Sequence, residues 1–229
     1  TFCNARCPQC SRTFGTTLEE QPWLTKNPNE LSADEIRKIV FDPALQHIES
    51  CYINGNYGDI VMHNDPMSVI EVLAERKLHS IRIHTNGGAQ STTFWKELAK
   101  YSPKLMVYFA IDGLEDTNHL YRVGSNWDKI MANAEAYIKG GGIAKWYFIE
   151  FKHNYHQIEQ ARELANKMGF QQFNVKYTSR FAETQTTKVN TKKGTVVEDV
   201  KNNQNQKDME EIKKKFKSFG SYVDTTPIT

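Results

Sequence analysis

The sequence predicts an α/β protein whose strands lie parallel in one sheet, and two observations carry that reading. Short apolar runs rich in Val, Ile, Tyr and Phe alternate with stretches of helical periodicity about every 25 to 35 residues, as repeated βαβ units do. Glycine and polar residues also gather behind each strand: Gly55-Asn56-Tyr57-Gly58-Asp59, Thr85-Asn86-Gly87-Gly88, Asp112-Gly113, Lys152-His153-Asn154 and Ser179-Arg180-Phe181. In parallel α/β folds the carboxyl ends of the strands are where ligands bind, so the chemistry of this chain is expected along one rim.

The chain opens on its densest chemistry. Cys3, Cys7 and Cys10 form a C-x3-C-x2-C run that holds three of the chain's 4 cysteines. Thiolates so close together on an irregular loop are soft donors that can converge on one metal centre. That centre is either a [4Fe–4S] cluster with one iron left without a protein ligand, or a zinc ion completed by a donor from elsewhere. A polar stretch with Pro22 and Pro28 follows and is expected to be irregular.

Ser32-Ala33-Asp34-Glu35 has the form of a capping box and starts a helix to about Phe41. Residues 51–54 read as a strand and 67–76 as a helix, with Met67, Ile70 and Leu73 on one side. Strand 80–84, helix 93–101 and strand 105–111 follow. Trp127, Ile130, Met131, Ala134, Tyr137 and Ile138 make a helical stripe that stops at the turn Gly140-Gly141-Gly142. Strand 145–151 leads to a helix capped by Asn154 with Gln157 and closed by Gly169, and 172–177 is the last strand. With a strand truncated ahead of Cys3, the count is six. Six units suit an open doubly wound sheet or a partial barrel, and the pattern leaves both open.

Residues 1–181 form the core on this reading, and 182–229 a polar tail. Residues 184–206 are rich in Thr, Lys, Asn and Gln and are expected to be a linker or an extended excursion, and 207–219 one basic helix. The chain starts at the cysteine loop without an initiating Met, so it reads as a fragment, with a tail suited to join a missing C-terminal module. A net charge of +2 over 229 residues argues against a dedicated nucleic-acid surface. No signal peptide or membrane-spanning apolar run is evident, which with clustered cysteines suggests the reducing cytoplasm.

The cysteine spacing resembles the signature of the radical S-adenosylmethionine (radical SAM) enzymes, and the likeness runs in order over about residues 1–180. Gly58-Asp59 resembles the family's Gly-Glu/Asp element, which receives the methionine amino group of SAM. Thr85-Asn86-Gly87 resembles its TNG element. Ala110-Ile111-Asp112-Gly113 resembles S-x-D-G, with Ala110 in place of the serine that touches the ribose. Arg122 falls where relatives present a basic residue to SAM's carboxylate. The sequence departs at Gln9, where an aromatic residue is usual, at Tyr57, where a second glycine is common, and at Ile60, where proline is.

The resemblance implies a partial (β/α)6 TIM-like barrel. It implies a [4Fe–4S] cluster on Cys3, Cys7 and Cys10, S-adenosyl-L-methionine held by Gly58, Asp59, Asn86, Asp112 and Arg122, and no side chain acting as acid or base in the first step. It also implies hydrogen abstraction from a substrate, with a peptide or protein the expected class, and an electron donor such as flavodoxin or ferredoxin. The pattern is most similar to members with a C-terminal SPASM or Twitch extension, although such an extension needs further cysteines and none follows Cys51. The alternative is a non-catalytic zinc- or cluster-binding module on a degenerate fold of this kind. Outside the motifs, strand alternation puts His84 on the same face as Asn86, as a candidate substrate-side residue. His153 and His156 are weaker metal candidates. The first is expected at a strand end and the second exposed in a first helical turn.

Overall fold

The computed structural model describes residues 2–13, 18–26 and 29–178, and the backbone of 188–190 and 196–198. In chain order the elements are α1 (Pro22–Lys26), α2 (Ala33–Val40), β1 (Ser50–Ile53), α3 (Pro66–Glu75), β2 (Ser80–Thr85), α4 (Thr92–Leu98), β3 (Leu105–Ala110), α5 (Asn118–Tyr121), α6 (Trp127–Lys139), β4 (Ile143–Ile149), α7 (Ile158–Met168) and β5 (Gln172–Lys176). The strands make one parallel sheet in the order β1-β2-β3-β4-β5. Sequential parallel strands joined by helices give a partial barrel. The described residues contain the five strands expected after the cysteine loop. Ahead of β1 the cysteine loop is tied to the same rim, because the Asp59 amide donates to the Phe2 carbonyl at 2.7 Å.

Strand alternation sorts the sheet into two faces. Ile81, Ile83, Val107, Phe109, Trp146 and Phe148 point to the helical side and are essentially sealed from solvent. There they meet Trp95 and Leu98 of α4, Ile130, Ala134 and Tyr137 of α6, and Ala161 and Ala165 of α7. Each fully buried large apolar side chain contributes about 1.5 to 3 kcal/mol, so this layer sets the frame on which the rim stands. Cys51 packs on this side, away from the other cysteines.

The opposite face is lined by different chemistry. Tyr52, Arg82, His84, Tyr108, Lys145, Tyr147 and Lys176 occupy its alternate positions. Register sets His84 beside Tyr108, Tyr108 beside Lys145, and Ile149 beside Lys176.

Local signals are realised with two corrections. The Ser32–Glu35 capping box forms in both directions, and Gly169 closes α7 in the left-handed conformation. Pro22 does not mark irregular chain: it begins α1, where a missing N–H costs nothing, and Leu24 of that turn is buried. Asn154 makes no cap hydrogen bond to the helix that follows it. Its amide is used at the rim instead. β6 (Lys188–Asn190) and β7 (Val196–Glu198) pair antiparallel within the segment read as a linker, and the expected helix at 207–219 lies outside the described residues.

Candidate functional site

The cysteine loop is held as a compact turn by its own backbone and by Thr13. The Cys10 amide donates to the Cys7 carbonyl at 3.2 Å, and the Thr13 hydroxyl lies 3.1 and 3.2 Å from the carbonyls of Cys7 and Cys10. Gln9 sits at φ 59°, the left-handed bend that turns the chain into Cys10. Two longer ties fix the loop to the rim. The Arg6 amide donates to the Val123 carbonyl at 2.8 Å. Arg12 pairs with Glu20 at 2.7 Å and donates to the Tyr57 carbonyl at 3.2 Å, clamping the cysteine loop against the glycine loop behind β1.

All three thiols are free and line one cavity of about 370 Å³ at the carboxyl ends of the strands. Gly58, Asp59, Asn86 and Arg122 line the same cavity. Donors already face the sulfurs: the Ala5 amide at 3.4 Å and Asn86 Nδ2 at 3.7 Å from Cys3 Sγ, and Arg122 Nη1 at 3.5 Å from Cys7 Sγ. Burial, reinforced by Asp59, pushes the Cys3 thiol up to about 12, and burial also raises Cys7 although Arg122 opposes it.

Among the described residues no three His, Cys, Asp or Glu side chains stand together as a group ready to hold a metal ion. The cysteines share a wall of the cavity without closing on one point. What fits a metal centre is the donor set: three soft ligands on one short loop, each of two given N–H donors that favour a thiolate. A bound cation would also offset the burial that raises Cys3 and Cys7.

The Asp59 carboxylate organises the rim. Its Oδ2 accepts from the Thr85 hydroxyl at 2.9 Å, the Asn86 amide at 3.0 Å and Asn86 Nδ2 at 3.0 Å, while Oδ1 accepts from the Val61 amide at 3.3 Å. Burial raises its pKa against the pull of these bonds. Asn86 also donates to Asn4 Oδ1 at 2.9 Å and accepts from the Gly88 amide at 2.8 Å. The two loops therefore meet at one side chain. Gly87 is required here: it adopts φ 72°, and a Cβ would lie 2.7 Å from the Phe109 ring.

Asp112 does not line the cavity. Fully buried, it accepts from Arg122 Nε at 2.6 Å and from the Ile149 amide at 2.6 Å, and so stands behind Arg122 and aims it. Burial raises the Asp112 pKa, with Arg122 working against that rise. Burial also disfavours the Arg122 cation, but Asp112 and Cys7 hold it charged. Several supports of this layer were not legible as site residues. The Asn118 side chain accepts from the Asp112 amide at 2.9 Å. Asn154 Nδ2 donates to the carbonyls of Asp112 and Ile149, each at 2.9 Å, stapling the ends of β3 and β4. Asn133 of α6 donates to the Gly87 and Ala89 carbonyls at 2.8 and 3.0 Å.

His84 lines the cavity, as its position on β2 suggested. It stacks on Tyr108 with ring centres 4.6 Å apart, and its Nε2 lies 2.5 Å from the Tyr52 hydroxyl. Burial, then the positive charges of Lys176, Arg122 and Arg82, lower its pKa to about 4, so the ring is neutral at neutral pH. His156 is exposed and His153 stacks on Phe151, neither of them on the cavity.

Solved structures share this fold. SuiB of Streptococcus suis bound to S-adenosylmethionine matches with a TM-score of 0.67 at 17% identity, over 95% of this chain and 45% of that one. The same protein bound to its precursor peptide SuiA gives 0.69 at 16% identity, over 95% and 44%. Native anSMEcpe with bound AdoMet gives 0.54 at 16% identity, over 76% and 48%. The chain thus spans less than half the length of these proteins. No protein-family model matches the sequence, and no curated protein does. No helix among the described residues is long and apolar enough to cross a membrane.

Proposed function

We propose that this chain is the core of a radical SAM enzyme that acts on a peptide or protein. One observation carries the proposal: three thiols of a single short loop line the same rim cavity as Gly58, Asp59, Asn86 and Arg122. The fold shared with two proteins that bind S-adenosylmethionine supports it.

Cys3, Cys7 and Cys10 would hold a [4Fe–4S] cluster, leaving one iron for the amino and carboxylate groups of S-adenosylmethionine. When bound, such a cluster would supply one-electron reduction of the sulfonium, the source of the radical chemistry by which hydrogen would be abstracted from substrate. The protein's own part is to position and to shield. The backbone of Gly58 and Asp59 offers carbonyl acceptors to an ammonium, since the Asp59 carboxylate is already committed to Thr85, Asn86 and Val61. Arg122, held as a cation by Asp112, offers its remaining N–H groups to a carboxylate and to the Cys7 sulfur. Asn86 bridges the cysteine loop to the sheet and fixes the approach of the two. A flavodoxin- or ferredoxin-type donor completes the proposal, as does kinship with members carrying a SPASM or Twitch extension. SuiB has been solved with a precursor peptide bound, which supports a peptide substrate here.

The test is product analysis. After anaerobic iron and sulfide reconstitution and reduction with dithionite, the protein is expected to convert S-adenosylmethionine to 5′-deoxyadenosine and methionine, and Cys7→Ala to convert none. Protein that takes up stoichiometric zinc, no iron–sulfur cluster and makes no 5′-deoxyadenosine would overturn the proposal in favour of a structural metal module.

A further inference from the structure

His84 belongs to the cavity wall but has no part in the chemistry assigned so far. It stands on the side of β2 away from the helices, two residues before Asn86, and so lies about 6.6 Å inward of the rim along the strand. Three tyrosines fix its ring. Tyr108 stacks on it with centres 4.6 Å apart and planes 9° from parallel, Tyr147 meets it edge-on at 5.2 Å, and the Tyr52 hydroxyl lies 2.5 Å from Nε2. Burial raises the Tyr52 pKa, so the phenol keeps its proton, and an imidazole nitrogen is a better acceptor than a phenol oxygen. We therefore assign the hydrogen of this contact to Tyr52, which leaves the ring's own hydrogen on Nδ1. Nδ1 has no hydrogen-bond partner among the described residues, and it is not sealed from solvent. With a pKa of about 4 the ring is a poor proton acceptor at neutral pH. What it offers the cavity is a neutral N–H donor whose direction is set in advance.

The neighbouring side chains say what such a donor meets. Thr85 and Asn86, next along β2, already spend their hydrogen bonds on Asp59 and the local backbone. Ala110, two residues beyond Tyr108 on the same side of β3, and Ile149 of β4 line the wall with apolar groups. A carboxylate is answered at the rim, where Arg122 stands beside the Cys7 sulfur with a full positive charge. An ammonium would find no acceptor on Nδ1. The part of S-adenosylmethionine that is neutral and carries oxygen acceptors is its sugar. We infer that His84 Nδ1 donates to a ribose hydroxyl of S-adenosylmethionine, with Tyr52 as the positioning residue that holds the ring for it. The inference rests on the proposed function and adds a binding residue to the same site.

The probes are S-adenosylmethionine and its 2′-deoxy and 3′-deoxy analogues. Each is titrated by anaerobic calorimetry into the full, cluster-reconstituted chain, with the cluster left oxidised so that nothing is cleaved. A reduced portion of the same sample reports the cluster's response to S-adenosylmethionine by electron paramagnetic resonance. At least one deoxy analogue is expected to bind about tenfold more weakly than its parent, because it leaves the Nδ1 donor without an acceptor. His84→Ala is expected to weaken the parent and to reduce that gap to about twofold or less, as a double-mutant cycle requires of a direct contact. Tyr52→Phe, which releases Nε2, is expected to reduce the gap to about threefold. The control His79→Ala, at an exposed position off the cavity, is expected to keep it. Equal binding of all three probes to the unaltered protein would overturn the inference without recourse to any variant. A gap that persists undiminished in His84→Ala would overturn it too, and one unchanged in Tyr52→Phe would remove Tyr52 from it. A cluster that responds to S-adenosylmethionine in a protein blind to the sugar hydroxyls refutes this inference alone. A cluster that ignores S-adenosylmethionine refutes the proposed function instead.

Discussion

Replacing Asp112 with alanine removes the carboxylate that, among the described residues, answers Arg122. The bond between Arg122 Nε and Asp112 Oδ2 is 2.6 Å long, with the acidic side chain 0% and the guanidinium 15% exposed. Removing one member of a buried pair leaves an uncompensated charge and costs about 3 to 5 kcal/mol. The Ile149 amide, 2.6 Å from Asp112 Oδ1, loses its acceptor too, which adds about 1 kcal/mol or more. A total of about 4 to 6 kcal/mol is a large share of the roughly 5 to 15 kcal/mol that holds a domain of this kind together. At about 2 to 4 °C per kcal/mol for a chain of this size, the midpoint of thermal unfolding should fall by roughly 10 to 20 °C. Circular dichroism on Asp112→Ala, Arg122→Met and the double variant, matched for metal content, measures it. The double variant should be less destabilised than the sum of the singles by about 2 to 3 kcal/mol, because it strands no charge. Additive single losses, or a loss below about 1 kcal/mol for Asp112→Ala, would refute the account of Asp112 as the support of Arg122.

Two further outcomes follow from the same geometry. Gly87→Ala forces a side chain into φ 72° and against Phe109, and should cost about 1 to 3 kcal/mol in urea unfolding; an unchanged midpoint would contradict the close approach of that loop to β3. His84 has a folded-state pKa of about 4, below its ordinary 6.5, so between these values the unfolded chain binds the extra proton. Its contribution to stability is present in full above the ordinary value and is lost as pH falls toward 4. His84→Gln should therefore flatten the decline in urea midpoint between about pH 7 and pH 5, and an identical decline in the variant would remove His84 from the explanation.

How much of this was legible in the sequence depends on how far apart the interacting residues lie. Strands announced themselves because alternation at Ile81, Ile83 and Thr85 or at Ala144, Trp146 and Phe148 is a local pattern. The rim followed from the glycine and polar residues behind each strand, and the Ser32–Glu35 box formed because both its partners lie within one turn. Misreadings arose where partners are distant. Asn154 looked like a helix cap, yet its amide serves the carbonyl of Asp112, 42 residues earlier. The support that Asp112 gives Arg122 was equally out of reach, since the two meet only once the chain has folded past β3. The clamp from Arg12 to Glu20 and Tyr57 joins two loops with no shared pattern. α1 is only five residues long, and its one buried side chain, Leu24, gives no periodicity to read.

The measurement closest to the central claim is electron paramagnetic resonance of the reconstituted, reduced protein with and without S-adenosylmethionine. A [4Fe–4S]+ signal that shifts when S-adenosylmethionine is added, and is absent from Cys7→Ala, is the predicted result: three cysteines hold the cluster and one iron is open to the co-substrate. A cluster signal indifferent to S-adenosylmethionine, or one that survives intact in Cys7→Ala, would contradict the account.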